Sequence, residues 1–309
     1  MPAWMKTRSG NIQEKTNMPT VSIVIPVYNG ARYLAAALES VFAQTYADYE
    51  VVCVDDGSTD ESVSIIKGFG DRITLVQQRN AGGCAARNEG VRRSVGPYVA
   101  FLDQDDRWYP DKLAKQVAAL DAAPDASLAL CNSDRMDMEG RVVQIGATVS
   151  ERPGLQTEPL GRLIGEDQLL SSAIMVRRDK FIRAGMFDEQ LHGFEDFDLA
   201  ARLRREGRFV FIEDPGMCYR INTGGQSQSG GLRVIKSRER FLLKMQDLYA
   251  GDAIKQGLIS HMLAECYSDW GWAEVQAGNQ QSGREKFRQS LGRNPLKFRT
   301  YSRWLRSFF

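Results

Sequence analysis

The sequence predicts an α/β fold: a Rossmann-like, mostly parallel central sheet flanked by helices, followed by an all-helical C-terminal extension. Three observations carry this expectation. Short apolar and β-branched runs alternate with segments of helical periodicity over the first hundred or so residues, as in a sheet covered on both faces. Polar clusters directly follow the predicted strands, where the ligand crevice of such a sheet lies. Beyond Leu232 the strand signals stop and the chain reads as helix.

Taken in order, Val21 to Val27 is an unbroken apolar run containing Pro26, which suits a strand buried on both faces. Tyr28-Asn29-Gly30 turns the chain, and Tyr33, Leu34, Ala37, Leu38, Val41 and Phe42 then recur at helical spacing. Glu50 to Val54 reads as the second strand, Asp55 to Asp60 as a turn opening a helix, and Ser62 to Phe69 as that helix. Thr74 to Gln77, Ala85 to Val95 and Tyr98 to Leu102 read as strand, helix and strand. Residues between Ala126 and Gly165 read as loops, and a loop-rich passage from Pro153 leads to the apolar run Ser171 to Val176. Leu199 and Leu203 fit a helix and Phe209 to Ile212 a strand, while Tyr219 to Gly231 is a Gly, Ser and Gln-rich loop of a composition that can open and close.

Helices are expected over Val234 to Tyr249, Gly257 to Ala277, Ser282 to Leu291 and after Pro295. Ala264 to Pro295, with Trp272, Ala273, Gly278, Asn279, Phe287 and Leu291, resembles a single tetratricopeptide-type helix pair. One pair builds no solenoid, so it either packs on the main domain or docks a partner. The expected organisation is a mobile leader over 1–19, a main domain over 20–231 and a helical extension over 232–309.

Composition narrows the chemistry. With 40 basic and 39 acidic side chains the overall field gives no reason to expect nucleic acid as a partner. Five scattered cysteines without a CxxC pair argue for a reducing compartment and against a disulfide framework or a structural zinc, and the two histidines leave little for an imidazole-rich metal centre. No stretch approaches about 20 consecutive apolar residues, so no spanning helix is expected and a cytoplasmic location follows. Lys297-Phe298-Arg299 and Tyr301 to Phe309 alternate basic with aromatic residues, which suits either an anionic membrane surface or a solvated or core-packed tail.

The chemistry concentrates in four clusters. Phe101-Leu102-Asp103-Gln104-Asp105-Asp106 sets three carboxylates after a buried strand, a mutual repulsion that a cation or solvent must offset. Hard oxygen donors without nearby His or Cys favour Mg2+ or Mn2+ completed by substrate phosphates. Val54-Asp55-Asp56-Gly57-Ser58-Thr59-Asp60 places an acidic pair where it can accept hydrogen bonds from a base or a ribose, with Ser58 or Thr59 free to cap the next helix. Phe194-Glu195-Asp196-Phe197-Asp198 offers a carboxylate suited to removing a hydroxyl proton, or merely acids favoured by a helix N-terminus.

Val24-Ile25-Pro26-Val27-Tyr28-Asn29, Val54 to Asp60, Asn80-Ala81-Gly82-Gly83-Cys84-Ala85-Ala86-Arg87-Asn88 and Phe101 to Asp106, in that order and spacing, resemble the inverting family-2 glycosyltransferases of GT-A fold over roughly residues 20 to 225. The resemblance implies that Pro26, Val27 and Tyr28, with Asn29 beside them, line a base pocket, and that Asp55 or Asp56 reads a uracil or thymine. It implies that Asn80, Gly82 and Arg87 run along the nucleotide and its phosphates, with Gln104 in the same region. Asp103 would touch the ribose or the metal shell, and Asp105 would ligate Mn2+ or Mg2+ directly. Asp196 would be the catalytic base, with Glu195 and His192 positioning the acceptor or the loop; for His192 an ordinary loop histidine is the alternative. Arg220 would serve the diphosphate, although Asn222-Thr223-Gly224-Gly225-Gln226 stands where the family often has a histidine.

The implied reaction moves a sugar from a UDP- or dTDP-linked donor to a glycan or lipid-linked acceptor, in cell-surface polysaccharide synthesis, with the loops between Ala126 and Gly165 setting the choice of sugar. Two other classes remain open. A sugar-nucleotide nucleotidyltransferase also uses metal-binding acids on an α/β sheet, but Tyr28-Asn29-Gly30-Ala31-Arg32 is a poor match for its Gly-rich basic segment. A non-catalytic nucleotide-sugar-binding module would not need Asp196.

Overall fold

The computed structural model describes residues 18–146, 154–156, 170–221 and 231–308. The expected leader up to residue 17, the loop residues 222–230 with Ser227 and Ser229, and two parts of the expected sugar-selecting region (147–153 and 157–165) lie outside the described residues.

Strands β1 (Val21–Val27), β2 (Tyr49–Asp55), β3 (Thr74–Gln77) and β4 (Tyr98–Phe101) run parallel in the spatial order β3-β2-β1-β4. The apolar run of β1, broken only by the buried Ser22, serves two cores, because successive side chains point to opposite faces. Ile23, Ile25 and Val27 pack with Leu34, Leu38 and Val41 of α1 (Leu34–Phe42), whereas Val24 packs with Val91 of α3 (Gly83–Arg93). Gly90 makes the second contact close: a Cβ there would run into the Val24 side chain. Helix α2 (Ser62–Gly68) links β2 to β3.

The second half adds β5 (Arg107–Trp108), α4 (Lys112–Asp121), β6 (Ala126–Met136), β7 (Val142–Gln144), β8 (Gly154–Gln156), β9 (Ile174–Arg177), α5 (Arg178–Arg183), α6 (Glu195–Glu206) and β10 (Arg208–Arg220). The sheet continues past β4 as β9-β6-β10-β5, with β7 on β6 and β8 on β10. Strands β6 and β10 are parallel to each other, and β9 runs against both β4 and β6. The carboxyl ends of β1, β2, β4, β6 and β10 therefore open on one mouth, joined there by the amino end of β9.

Two strands differ from the sequence expectation. Ala126 to Met136 is an 11-residue strand beside β9, whereas loop was expected from Ala126 onward; the Ser, Asn and Asp residues along it mask its strand character. The strand expected over Phe209 to Ile212 extends to Arg220, 13 residues in all. Glu213-Asp214-Pro215-Gly216 reads as a breaker, but Pro215 sits at a register shift and pairing resumes at Met217. Tyr219 and Arg220 thus close a strand instead of opening a loop. Helix α4 is also additional, although Leu113, Val117 and Leu120 stand at helical spacing.

Helices α7 (Leu232–Leu248), α8 (Ala253–Gln276), α9 (Gln280–Arg293) and α10 (Phe298–Arg306) follow. Phe241, Leu242 and Met245 of α7 and Ile259, Leu263 and Tyr267 of α8 form one apolar cluster with Leu191 and Ala201. Burial of side chains of this size stabilises by about 1.5–3 kcal/mol each. The α7–α8 pair therefore packs directly on the segment that carries Asp196.

Candidate active site

The turn after β1 shapes one wall of the mouth. Asn29 adopts φ +49°, a left-handed conformation that asparagine tolerates, and its Oδ1 accepts the Thr59 amide at 2.8 Å. Its own amide donates to Ser58 Oγ at 3.0 Å. Gln104 reaches across from the turn after β4, accepting from the Tyr28 amide at 2.9 Å and donating to the Tyr28 carbonyl at 3.0 Å. Its amide is therefore engaged by backbone. Tyr28 and Asn29 are exposed, Pro26 is partly buried, and Val27 packs into the core beneath them.

Both acids after β2 are buried and occupied. Asp56 accepts from Gln78 Nε2 at 2.7 Å and from the Ala81 and Gly82 amides at 2.8 Å each. Asp55 accepts from the Ser58 amide at 3.1 Å and from Gln77 Nε2 at 3.3 Å. Asp56 thus fixes the start of α3, where Gly82 holds φ +95°, with open space where a Cβ would stand. Asn80 lies exposed at the same edge.

The acidic turn after β4 divides into distinct roles. Asp103 pairs with Arg87, which is buried on α3 with its guanidinium near the Phe187 ring. Burial disfavours the charged guanidinium, but Asp103 and Asp196 outweigh it and raise the Arg87 pKa. Asp106 turns inward and accepts from Ser172 Oγ at 2.7 Å and from the Arg220 amide at 3.0 Å; burial, then Asp105 and Asp103, push its carboxyl well up. Arg220 donates from Nε to the Asp105 carbonyl at 2.8 Å and from Nη1 to the Asp137 and Met138 carbonyls at 2.9 and 3.0 Å. Its guanidinium lies 4.2 Å from the centre of the Tyr33 ring. As the last residue of β10, Arg220 ties the acidic turn to the hairpin after β6.

Asp105 differs from both neighbours. No described side chain donates to its carboxyl, and burial, reinforced by Asp103, pushes it up to about 6 against the pull of its own backbone, Arg220 and Arg87. A cation would relieve that cost. Among the described residues no three His, Cys, Asp or Glu side chains are placed to cage an ion. Two aspartates match the sparse protein shell in which Mg2+ or Mn2+ is commonly held with phosphates. The residues fit such an ion, with Asp105 the freer donor and Asp103 shared with Arg87.

Asp196 stands in the first turn of α6. Ser171, at the amino end of β9, donates Oγ to Asp196 Oδ1 at 2.6 Å. Burial and the adjacent Glu195 push the Asp196 carboxyl up to about 7, against Arg87 and the Ser171 hydrogen bond. Glu195 keeps a buried Oε2 without a hydrogen-bond partner among the described residues. His192 is held from α7: its amide donates to Ser237 Oγ at 2.7 Å and its ring lies 2.8 Å from Arg233 Nη2. Asp198 points away from the mouth, fully buried, and pairs with Arg202 of its own helix and with Lys244 of α7 at 2.6 Å. Lys244 also reaches Asp188 at 2.9 Å. Burial would raise that carboxyl, but Lys244, the Gln190 amide and Arg240 bring it down to about 2.

The site thus brings Arg87, Asp103, Asp105 and Asp196 into one electrostatic neighbourhood, with Arg220 beneath it. A family model described as Glycosyl transferase family 2 matches residues 22–182, just over half of the chain.

The chain belongs to glycosyl transferase family 2.

Relatives within the family agree. An uncharacterised glycosyltransferase of Rickettsia prowazekii (strain Madrid E) is 33% identical over 75% of this chain and 71% of its own length. One of Rickettsia typhi is 32% identical over 65% of this chain, which spans 63% of that relative's length; for a Rickettsia bellii relative the share is 29%. Staphylococcus aureus TarS, solved with UDP-GlcNAc, superposes with a TM-score of 0.68 at 18% identity, covering 94% of this chain and 89% of the other. A Pyrobaculum calidifontis mannosyltransferase solved with GDP-Man and Mn2+ gives 0.58 at 19% identity, covering 90% and 76%. At these identities the likeness shows a shared GT-A fold.

Several contributors to the site lie outside the family motifs read from sequence. Ser171 and Ser172 open the apolar run of β9, and a pair of hydroxyls before a buried strand was their only local signal. Tyr33 reads as an ordinary helix-start residue, and Lys244 lies 46 positions beyond Asp198, so nothing local links the two.

Proposed function

We propose that the chain is an inverting glycosyltransferase that moves a sugar from a nucleoside-diphosphate donor, UDP- or dTDP-linked, to a hydroxyl of a glycan or lipid-linked acceptor, in cell-surface polysaccharide synthesis at the cytoplasmic membrane face. The observation that carries this reading is the convergence of Asp196 with the acidic turn: Arg87 pairs with Asp103 and feels Asp196, while adjacent serines hold Asp196 and Asp106.

In this reading Asp196 takes the proton from the acceptor hydroxyl as that oxygen bonds to the anomeric carbon. The bond from that carbon to the diphosphate oxygen breaks on the opposite face, so configuration inverts and no covalent enzyme intermediate forms. Asp105, with Asp103, would hold Mn2+ or Mg2+; when bound, the ion supplies positive charge against the departing diphosphate. Arg87 supplies fixed positive charge to the same region. Tyr28, Asn29 and one of Asp55 or Asp56 would receive the base, and Asn80 and Gly82 the nucleotide along the start of α3. Pro26 and Val27 form the floor of that pocket, and Gln104 acts through Tyr28. Arg220 acts by shaping the turn that presents Asp105 to the diphosphate. The unmet Glu195 Oε2 offers an acceptor hydroxyl a hydrogen bond, with His192 setting the loop before it.

No helix among the described residues is long and apolar enough to cross a membrane. The deciding experiment screens nucleotide sugars by thermal shift with and without Mn2+, then measures nucleoside-diphosphate release with and without acceptor. Pyrophosphate release from a sugar phosphate and a nucleoside triphosphate would replace this reading with nucleotidyl transfer, and donor binding without any turnover would favour a binding module.

A further inference from the structure

Helix α10 presents its apolar side to solvent. Its inner side makes polar contacts: the hydroxyl of the fully buried Thr300 meets Ser268 Oγ at 3.0 Å and Ser290 Oγ at 3.2 Å. Arg303 reaches Ser268 Oγ at 3.1 Å and Asp269 Oδ1 at 2.7 Å, and the Ser307 carbonyl accepts from Arg284 at 3.0 Å. A helix advances about 100° per residue, so positions 298, 301 and 305 fall on the opposite side. There Phe298 is 80% exposed, Leu305 66% and Tyr301 40%, with Leu296 and Phe308 also exposed at the two ends. A surface helix ordinarily buries its apolar stripe. Isolated exposed apolar residues are common, but five within residues 296–308 form a patch.

Charge indicates what covers the patch. Arg299 and Arg306, seven residues apart, lie along one flank of the apolar side and are exposed. Neither has an ion-pair partner among the described residues, whereas Lys297 and Arg303 of the same segment are paired with Glu265 and Asp269. No acidic residue stands between Glu285 and Phe309, so nothing in that stretch opposes a negative surface.

We propose that α10 docks on an anionic lipid surface, with Phe298, Tyr301 and Leu305 in the boundary between headgroups and acyl chains and Arg299 and Arg306 against lipid phosphates. Such interfacial helices combine buried apolar area with attraction to anionic lipid. The proposal is independent of the reaction and needs no turnover to test.

The full chain is floated with phosphatidylcholine vesicles with and without phosphatidylglycerol. Binding is expected only to the anionic vesicles and should weaken with added salt. It should fall at least about tenfold in Phe298→Ser/Leu305→Ser and in Arg299→Glu/Arg306→Glu. Circular dichroism and the thermal midpoint are expected to stay unchanged, because these side chains are exposed. Absence of flotation with anionic vesicles overturns the proposal, as does equal flotation of well-folded variants. A concentration-dependent dimer that the apolar double variant abolishes, without vesicle binding, assigns the patch to a second copy instead.

Discussion

The Ser171 hydroxyl donates to Asp196 across 2.6 Å, and the next residue, Ser172, donates to Asp106 at 2.7 Å. Two consecutive side chains thus connect the acidic turn after β4 with the first turn of α6. The spacing between the two acidic centres is therefore set by one stretch of backbone.

Because Asp196 is pushed up to about 7, transfer is expected to rise as pH increases through neutrality, as the carboxylate form becomes populated. Asp196→Asn should lower turnover by about 10²–10⁴-fold, the range typical of a lost general base. A carboxyl whose folded pKa is raised contributes its stability fully below the ordinary value of 3.8 and loses it progressively as pH rises from there through about 7. The Asp196→Asn protein should consequently unfold at higher temperature than wild type at pH 8, by about 2 kcal/mol of stability, with the difference shrinking as pH falls through 7 and becoming small near pH 4. Equal stability at both values would disprove the electrostatic account.

Ser171→Ala removes a hydrogen bond that favours the charged form of Asp196. The pH–rate profile should move upward by about one unit, with turnover recovering at alkaline pH. A uniform loss across pH would indicate a role in folding instead.

Asp105→Asn should weaken donor binding with Mn2+ present and leave metal-free binding near the wild-type level, read by titration calorimetry. Chelation should abolish transfer by the wild type and Mn2+ should restore it. Full activity in chelator would remove the ion from the reaction.

Lys244 joins α7 to the buried Asp198 on the helix that carries Asp196. Removing one partner of a buried pair costs about 3–5 kcal/mol; Arg202 still neutralises Asp198, so Lys244→Met should cost about 2 kcal/mol in urea unfolding. Asp188, held at about 2 against an ordinary 3.8, contributes stability at neutral pH that disappears as pH falls through that interval. The variant should lose part of this acid transition and some turnover. Unchanged stability and rate would show that α7 does not support α6.

Strands β1, β2 and β4 were legible because a strand buried on both faces leaves a nearly continuous apolar run, as Val21 to Val27 does with Ser22 its one polar residue. The acids at their ends were legible because strand ends in a parallel sheet share a mouth. Ala126 to Met136 escaped because its polar residues face partners supplied by the fold: Asn132 donates to the Glu213 carbonyl at 3.1 Å, and Asp134 accepts from Tyr109 at 2.7 Å. The extent of β10 escaped because a proline ordinarily ends a strand, and only the partner strand shows that pairing continues through Pro215 and Met217 with shifted register. Arg87 was legible as a candidate but not as a buried group, since its burial depends on the Asp103 it pairs with.

Between β4 and β6, strand β9 delivers its beginning, and not its end, to the mouth. Ser171 stands in the short turn Ser171–Ala173 that leads into β9 and directly follows Leu170, so the backbone entering that strand is tied to Asp196 by a single hydroxyl. A displacement of Ser171 would therefore alter the hydrogen bond to Asp196 without changing a residue of α6.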